Sequence, residues 1–364
     1  MNYILNHLKQ LDWKLNISAL ILSCIGLVSI FSISAGRGDF GNFYKQIFFL
    51  ATGLVLMFLL SIFDWRGFKD NSYLILVLYF ICIILLAGLL IFAPQTRGIK
   101  GWYRLGFFSF DPIGITIVVL IILLSKFFSK RHIEMYKIHH VALSGFYTLL
   151  PFVLIAKQPN LGSALVLIAI WLGVLIVSGI KYKHLLLLAV CGILIFSVAW
   201  SFFLRDYQKK RITSFLNPSV ETLGMNWSQT QSKIAIGSGG LLGQGFSEGS
   251  QTQNGFLSEP YTDFIFSAYA EEFGMVGVSI LLLVFLFFLW RILRFALTAD
   301  SNFPRLFASG FAMFIFFQAF VNIGMNLGVL PVIGLPMPLI SYGGSNLIAI
   351  FAGLGILQSI KSNS

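Results

Sequence analysis

The acid best placed for chemistry is Asp263, in Tyr261-Thr262-Asp263-Phe264-Ile265-Phe266, where a polar stretch runs into a long apolar one. A carboxylate at such a boundary loses part of its hydration, which raises its pKa toward the range a general base needs. The same position also suits an acid that simply favours a helix N-terminus, worth about 0.3–1 kcal/mol. Glu271 and Glu272 follow, and either could bind a cation, hydrogen-bond a neighbouring loop or be solvated. Gln318, Asn322 and Asn326 recur every four residues in an otherwise apolar run. That spacing puts three amides on one helix face. Polar side chains at membrane depth face protein or a water-filled cavity, so these amides either bond between helices or line a substrate groove. Pro331, Pro336 and Pro338 then break the chain before Ser341-Tyr342-Gly343-Gly344.

Other constellations carry less. The run Gly237-Ser-Gly-Gly-Leu-Leu-Gly-Gln-Gly245 lacks the Gly-Lys-Ser/Thr of a nucleotide loop and has no dinucleotide spacing. Its successive N–H groups could cradle an anion, or the run could be a tight turn. His7, His132, His139, His140 and His184 form no metal motif. Cys24, Cys82 and Cys191 lie in separate apolar runs without metal-type spacing and read as small buried hydrophobes.

The elements that must position these groups are membrane helices. Of 364 residues, 57% are hydrophobic and 11% charged, against roughly 25% charged in a soluble domain. With 38 Phe and a mean hydropathy of +0.86, a soluble enzyme, a disulfide scaffold and a disordered chain are excluded. Apolar runs broken by charge fall at about 15–35, 46–63, 72–93, 113–129, 141–156, 162–180, 184–204, 271–290, 306–326 and 338–360, each near the length that crosses a hydrocarbon core. The expected fold is all-α and polytopic, with ten transmembrane helices and one long extracellular loop, 205–270, between the seventh and eighth. That loop carries apolar anchors such as Phe215, Trp227 and Ile234, so it reads as an ordered lid with a short helix over 225–236 capped by Asn226 or Ser228. Lys and Arg concentrate in the connections that are inner if the N-terminus is cytoplasmic, which places both termini in the cytoplasm. The net charge of +11 flanks apolar runs as anchors do, and no nucleic acid partner is expected.

Taken together, Arg211-Ile-Thr-Ser-Phe-Leu-Asn-Pro218, Gln231-Ser-Lys-Ile-Ala-Ile-Gly-Ser-Gly-Gly240, Gly249-Ser-Gln251, Thr262-Asp-Phe-Ile-Phe266, Glu271-Glu272-Phe-Gly274 and Pro338-Leu-Ile-Ser-Tyr-Gly-Gly344 are specific. They resemble the SEDS family (shape, elongation, division and sporulation), whose RodA and FtsW members are ten-span peptidoglycan glycosyltransferases. The resemblance runs from roughly residue 12 to 358 and is closer to the elongation members. It implies polymerisation of lipid II at the outer face of the bacterial cytoplasmic membrane, for elongation and shape. Asp263 would be the general base that takes the proton from the acceptor's GlcNAc 4-hydroxyl. An α-linked donor and a β-linked product require inversion by single displacement, for which one base and stabilisation of the leaving diphosphate suffice. Arg97, Lys100 and Arg104 would stabilise that diphosphate, with a divalent cation (magnesium or manganese) as a further aid. Trp102, Gln231, Ser232, Lys233, Gly239, Gln251, Thr262, Glu272, Asn322, Ser341 and Tyr342 are the other expected substrate contacts. The implied partners are a class B penicillin-binding protein, other elongation or division complex proteins and membrane lipid.

Several positions depart from the family pattern. Asp111-Pro-Ile-Gly114 followed by Ile117 stands where Gln-Pro-Ser-Glu and then Lys are usual, and Asn160 stands for Asp. Losing both members of a charge pair is far cheaper than losing one. Gly101 replaces an Arg and Ser258 a Pro. These changes leave open a lipid II transporter or a catalytically weakened scaffold as alternatives to an active polymerase.

Overall fold

The computed structural model describes residues 7–94, 101–106, 108–130, 138–203, 206–216 and 225–363. Lipid offers no partner to backbone N–H and C=O groups, so apolar runs satisfy them internally as helices. The chain accordingly forms α1 (Trp13–Arg37), α2 (Gly41–Ile62), a short α3 (Arg66–Asp70) and α4 (Ser72–Phe92), then β1 (Tyr103–Leu105) and β2 (Phe108–Phe110). It continues through α5 (Ile113–Ser129), α6 (Ile138–Lys157), α7 (Leu161–Val177), α8 (Tyr182–Val198) and a π-helical turn, Ala199–Phe203. Three helices follow within 205–270: α9 (Asp206–Leu216), α10 (Met225–Ser238) and α11 (Ser250–Gln253). The chain ends with α12 (Ile265–Thr298), α13 (Asn302–Leu327) and α14 (Gly344–Ser362).

Among the described residues eight helices are long and apolar enough to cross a membrane: α1, α2, α4, α6, α8 with most of its π turn, α12, α13 and α14. This is a multi-pass membrane protein. Helices α5 and α7 are apolar but have 17 residues each, about 25 Å at 1.5 Å per residue. They lie inside the bundle, α5 with nearly every side chain buried, so their length need not match the lipid. Helix α13 packs against α5, α7 and α12, and α14 lies along α2. At the periphery, α8 buries none of its side chains within the protein.

The structure corrects several expectations. The fold is nearly all-helical, because β1 and β2 pair antiparallel with Arg104 opposite Ser109. Helix α12 starts six residues before the expected 271 and runs eight past 290, with a break at Gly274 (φ 62, ψ −164). There the chain passes so close to the glycine-rich turn that a Cβ on Gly274 would lie 2.3 Å from the Gly243 nitrogen. The last run begins as helix only at Gly344, since Pro336 and Pro338 cannot donate backbone bonds and Leu339 adopts φ 66. Of the cysteines only Cys82 is buried; Cys24 and Cys191 are exposed on helix surfaces.

At the end of the bundle opposite Asp263, the N-terminal side of α1 is tied to α14 and α12. The Asp12 N–H donates to Gln358 Oε1 at 2.8 Å, and Gln358 Nε2 donates to Asn16 Oδ1 at 2.6 Å. The Arg291 guanidinium donates to the Asp12 carboxylate, and the two side chains are only 11% and 6% exposed. Removing one partner of such a pair strands a buried charge, at a cost of about 3–5 kcal/mol. Arg291→Ala should therefore lower the melting temperature in detergent markedly, whereas the double change Asp12→Asn with Arg291→Gln should cost less than either single change. A double variant as unstable as the sum of the singles would show that the ion pair is not what joins these helices.

Candidate functional site

Asp263 lies in a non-helical segment just before α12, and a second non-helical segment, 328–343, wraps round it. Three consecutive carbonyls of the first segment are taken up by the rest of the bundle. The Tyr261 carbonyl accepts from the Tyr342 N–H at 2.8 Å, and the Thr262 carbonyl from Ser341 Oγ at 2.7 Å. The Asp263 carbonyl accepts two side-chain amides from α13, Asn322 Nδ2 at 3.1 Å and Asn326 Nδ2 at 2.9 Å. Gln46 of α2 closes the outer side of this arrangement, donating to the Ser341 carbonyl and accepting from the Gly343 N–H, both at 3.3 Å. Glu259 (φ 47) and Leu339 (φ 66), one in each segment, hold left-handed backbone that ordinary residues rarely adopt.

The half-buried Asp263 carboxylate lies beside exposed Gly334, where a Cβ would stand 3.5 Å from Oδ2. Gly334 has φ 74, so the position favours glycine on backbone grounds as well. The residues immediately before it, Pro331, Val332 and Ile333, wall a cavity of about 920 Å³ between α6, α7 and α8. Apolar residues such as Phe152, Trp171, Leu188 and Phe196 make up most of the rest, with Gln208 and Arg211 of α9 among the few polar groups. Arg37, at the end of α1, stacks on Tyr261 with its guanidinium carbon 5.4 Å from the ring centroid.

The two glutamates after Asp263 tie the short helix α11 and α1 to α12. Fully buried Glu271 accepts from the Gln251 N–H (2.7 Å), the Thr252 N–H (3.0 Å) and Thr252 Oγ1 (2.6 Å). Glu272 accepts from Ser32 Oγ of α1 and from Gln253 Nε2. Gly239 passes so near α12 that a Cβ would meet the Ala270 carbonyl oxygen at 2.2 Å. The helix expected over 225–236 is α10, but Asn226 and Ser228 lie inside it rather than capping it, because it already includes Met225; it docks on the C-terminal end of α13. Gln229 donates to the Met325 and Leu330 carbonyls, and Ser232 to the Asn326 carbonyl at 2.8 Å.

The expected substrate contacts therefore divide. Ser232 and Asn322 are fully buried, Ser341 and Glu272 nearly so, and their polar groups are engaged within the protein. Gln231 is buried, while Lys233 is exposed and lays its aliphatic stem over Gly328. Trp102 and Arg104 are exposed on and beside the hairpin, which Tyr103 anchors by donating to the Leu85 carbonyl at 2.7 Å. Arg97 and Lys100 lie outside the described residues. Among the described residues no three His, Cys, Asp or Glu side chains converge to hold a metal ion.

Sequence reasoning passed over Asn326 as a site residue although it noted the amide face, and it passed over Arg37, Arg211 and Asp111 as well. Half-buried Asp111 receives the Ile113 N–H at 2.8 Å, and its own N–H donates to Ser345 Oγ beside the 341–344 turn. Burial pushes its carboxyl up to about 7, against the opposing pull of the Ile113 N–H. The departures from the family pattern also have places: Ile117 is buried in the core, and Asn160 caps α7 by accepting from the Ser163 N–H.

Comparison with known proteins agrees over nearly the whole chain. The FtsW/RodA/SpoVE cell cycle protein family matches residues 12–364. The chain is 37% identical to the peptidoglycan glycosyltransferase MrdB of Escherichia coli K12 over 330 residues, covering 91% of this chain and 88% of that one. It is 32% identical to the stage V sporulation protein E of Bacillus subtilis, covering 97% of each. A chain of a solved peptidoglycan synthase complex that coordinates polymerization and crosslinking matches with a TM-score of 0.82 at 32% identity, covering 97% of this chain and 98% of that one. Thermus thermophilus RodA matches with a TM-score of 0.72 at 31% identity, covering 96% of each chain. A family match over almost every residue, with relatives above 30% identity along the chain, shows that this protein belongs to the FtsW/RodA/SpoVE family of cell cycle proteins.

Proposed function

We propose that this chain is a peptidoglycan glycosyltransferase that polymerises lipid II into glycan strands at the outer face of the bacterial cytoplasmic membrane. The reading takes α5 and α7 as spans beside the eight longer helices, 205–270 as the extracellular loop and both termini as cytoplasmic. Names of relatives such as MrdB and RodA support the activity. The observation that carries the reading is the place of Asp263: its carboxylate stands beside Gly334, which directly follows the 331–333 segment that walls a largely apolar cavity of about 920 Å³. A polyprenyl chain needs an apolar channel open toward lipid, and its diphosphate needs cations near the mouth. Helices α6, α7 and α8 supply the first, and Arg211 is the cation among the cavity's lining residues.

In this reading Asp263 accepts the proton of the acceptor's GlcNAc 4-hydroxyl as that oxygen attacks the donor's anomeric carbon. The bond to the diphosphate breaks on the opposite face, giving inversion in one step. Arg211 with Arg97, Lys100 and Arg104 balances the charge that develops on the leaving diphosphate. Ser232, Asn322 and Ser341 are framework for the acid rather than substrate contacts, because their polar groups are spent on protein partners. The cavity also favours polymerase over transporter, since a wall this apolar gives a sugar headgroup no polar route across. A class B penicillin-binding protein is the partner this reading expects, and the solved synthase complex among the structural relatives supports that.

Purified protein with its cognate transpeptidase should convert labelled lipid II to long glycan. Asp263→Asn and Asp263→Ala should lose at least about 100-fold in rate, the lower range for a general base, with folding and partner binding intact. Equal rates in wild type and both variants would move the chemistry elsewhere, and an inactive wild type would favour the scaffold or transporter. Asp111 gives a separate expectation. Its native pKa is raised from 3.8 to about 7, so the folded state holds a proton where the unfolded chain has lost it. This group's contribution therefore declines as pH rises from about 4 to 7 and stays low above that, by at most about 4 kcal/mol. Asp111→Asn should melt above wild type at pH 8, with the gap closing as pH falls toward 4; a gap independent of pH would show that Asp111 ionises normally.

A further inference from the structure

Helix α12 begins at Ile265, so the Ser267 N–H is among the four N-terminal N–H groups that need an acceptor from outside the helix. Were the helix extended back by one residue, that N–H would donate to the carbonyl four residues earlier, which is that of Asp263. Instead the Ser267 N–H donates to Asn326 Oδ1 at 3.2 Å, and the Asp263 carbonyl accepts Asn326 Nδ2 at 2.9 Å. One side-chain amide is thus inserted between donor and acceptor of the turn. Its orientation is fixed by chemistry: a backbone N–H can only donate, so the amide oxygen must face Ser267 and the NH2 must face Asp263. The Ser267 hydroxyl also donates to that oxygen and meets Ser232 Oγ at 2.6 Å, which ties the insert to α10. Asn322, one turn earlier on α13, adds its own amide to the Asp263 carbonyl and bridges to the Leu335 carbonyl at 2.8 Å, beside Gly334.

We propose that Asn322 and Asn326 are positioning residues for Asp263. They prevent α12 from extending back over Asp263 and so hold the carboxylate beside Gly334, which follows the 331–333 segment of the cavity wall, without touching substrate. This rests on Asp263 being the general base. If Asn326 is removed, the Asp263 carbonyl and the Ser267 N–H can pair directly; if Asn322 is removed, the Asp263 carbonyl loses one of its two amide donors and its tie to the Leu335 carbonyl, and in either case the Asp263 side chain shifts. A misplacement of about 1 Å can cost about 100-fold in rate. Because the buried amides make no contact with substrate, the loss should fall on kcat alone.

The experiment is steady-state lipid II polymerisation, in complex with the cognate transpeptidase, for wild type, Asp263→Asn, Asn322→Ala and Asn326→Ala. Each Asn→Ala change should lower kcat by about 10- to 100-fold with KM within about twofold. In an Asp263→Glu background, where the carboxylate is already displaced, Asn326→Ala should cost less than about fivefold, since coupled residues are not additive. Unchanged kcat in both Asn→Ala variants, with Asp263→Asn inactive, would overturn the positioning role alone. A raised KM at unchanged kcat would also overturn it, by making the amides substrate contacts. Full activity of Asp263→Asn would overturn the general base and this inference together. Should the alanine variants fail to fold, Asn326→Ser and Asn322→Ser, which keep a short hydroxyl donor, decide by the same split of kcat against KM.

Discussion

Non-helical backbone set into an apolar bundle must find hydrogen bonds from its neighbours, and this one constraint organises the site. Each buried polar group left unpaired costs about 1–3 kcal/mol. The segments 258–264 and 328–343 both leave helical geometry, and neither could meet that demand alone. They meet it together: Tyr342 and Ser341 serve the Tyr261 and Thr262 carbonyls, while Asn322 bridges the Asp263 and Leu335 carbonyls. An acid held in this lattice has little freedom to move, which is what proton transfer to a fixed carboxylate requires.

The same reasoning separates the rigid parts of the molecule from the pliable ones. Helices α5 and α13 are buried along almost their whole length, so a shift in either would cost packing on several sides. Helix α8 buries no side chain and carries a π turn at its end, so it gives up little when displaced. The cavity lies between these extremes, walled on one side by α7 and the 331–333 segment and on the other by α8. A rigid acid beside a pliable wall suits the proposed reaction, in which the chemistry is held still while a long lipid chain enters and leaves.

Composition made the membrane fold legible, and each apolar run falls on a helix. Periodicity also showed that Asn322 and Asn326 share a face. It could not tell whether that face meets substrate or protein, because the answer depends on which carbonyls the neighbouring loop presents. No motif includes Arg37, and only the fold brings it over Tyr261. Asp111 was noticed as a departure from a pattern, but its raised pKa comes from packing that no spacing encodes. The hairpin was missed because three-residue strands carry no periodic signal. The start of α12 was placed late because apolar runs were broken at charges, and the Glu271-Glu272 pair that marks the break is buried inside the helix against Ser32, Gln251 and Gln253.

The altered positions in α5 fit one another physically. With glycine at 114, α14 approaches α5 closely enough that a Cβ there would lie 2.9 Å from the Ala349 side chain and 3.3 Å from the Ser345 carbonyl. A longer acidic side chain at 114 would have to displace that contact. One turn on, Ile117 is 1% exposed, and a lysine so placed would need an acid to offset the loss of hydration. Neutral residues at both positions remove that need, and Asn160 still caps α7 through its side-chain oxygen as an aspartate would. The changes thus preserve packing and capping while removing charge from the interior. They leave the proposed reaction resting on Asp263, whose carbonyl α13 holds through two side-chain amides.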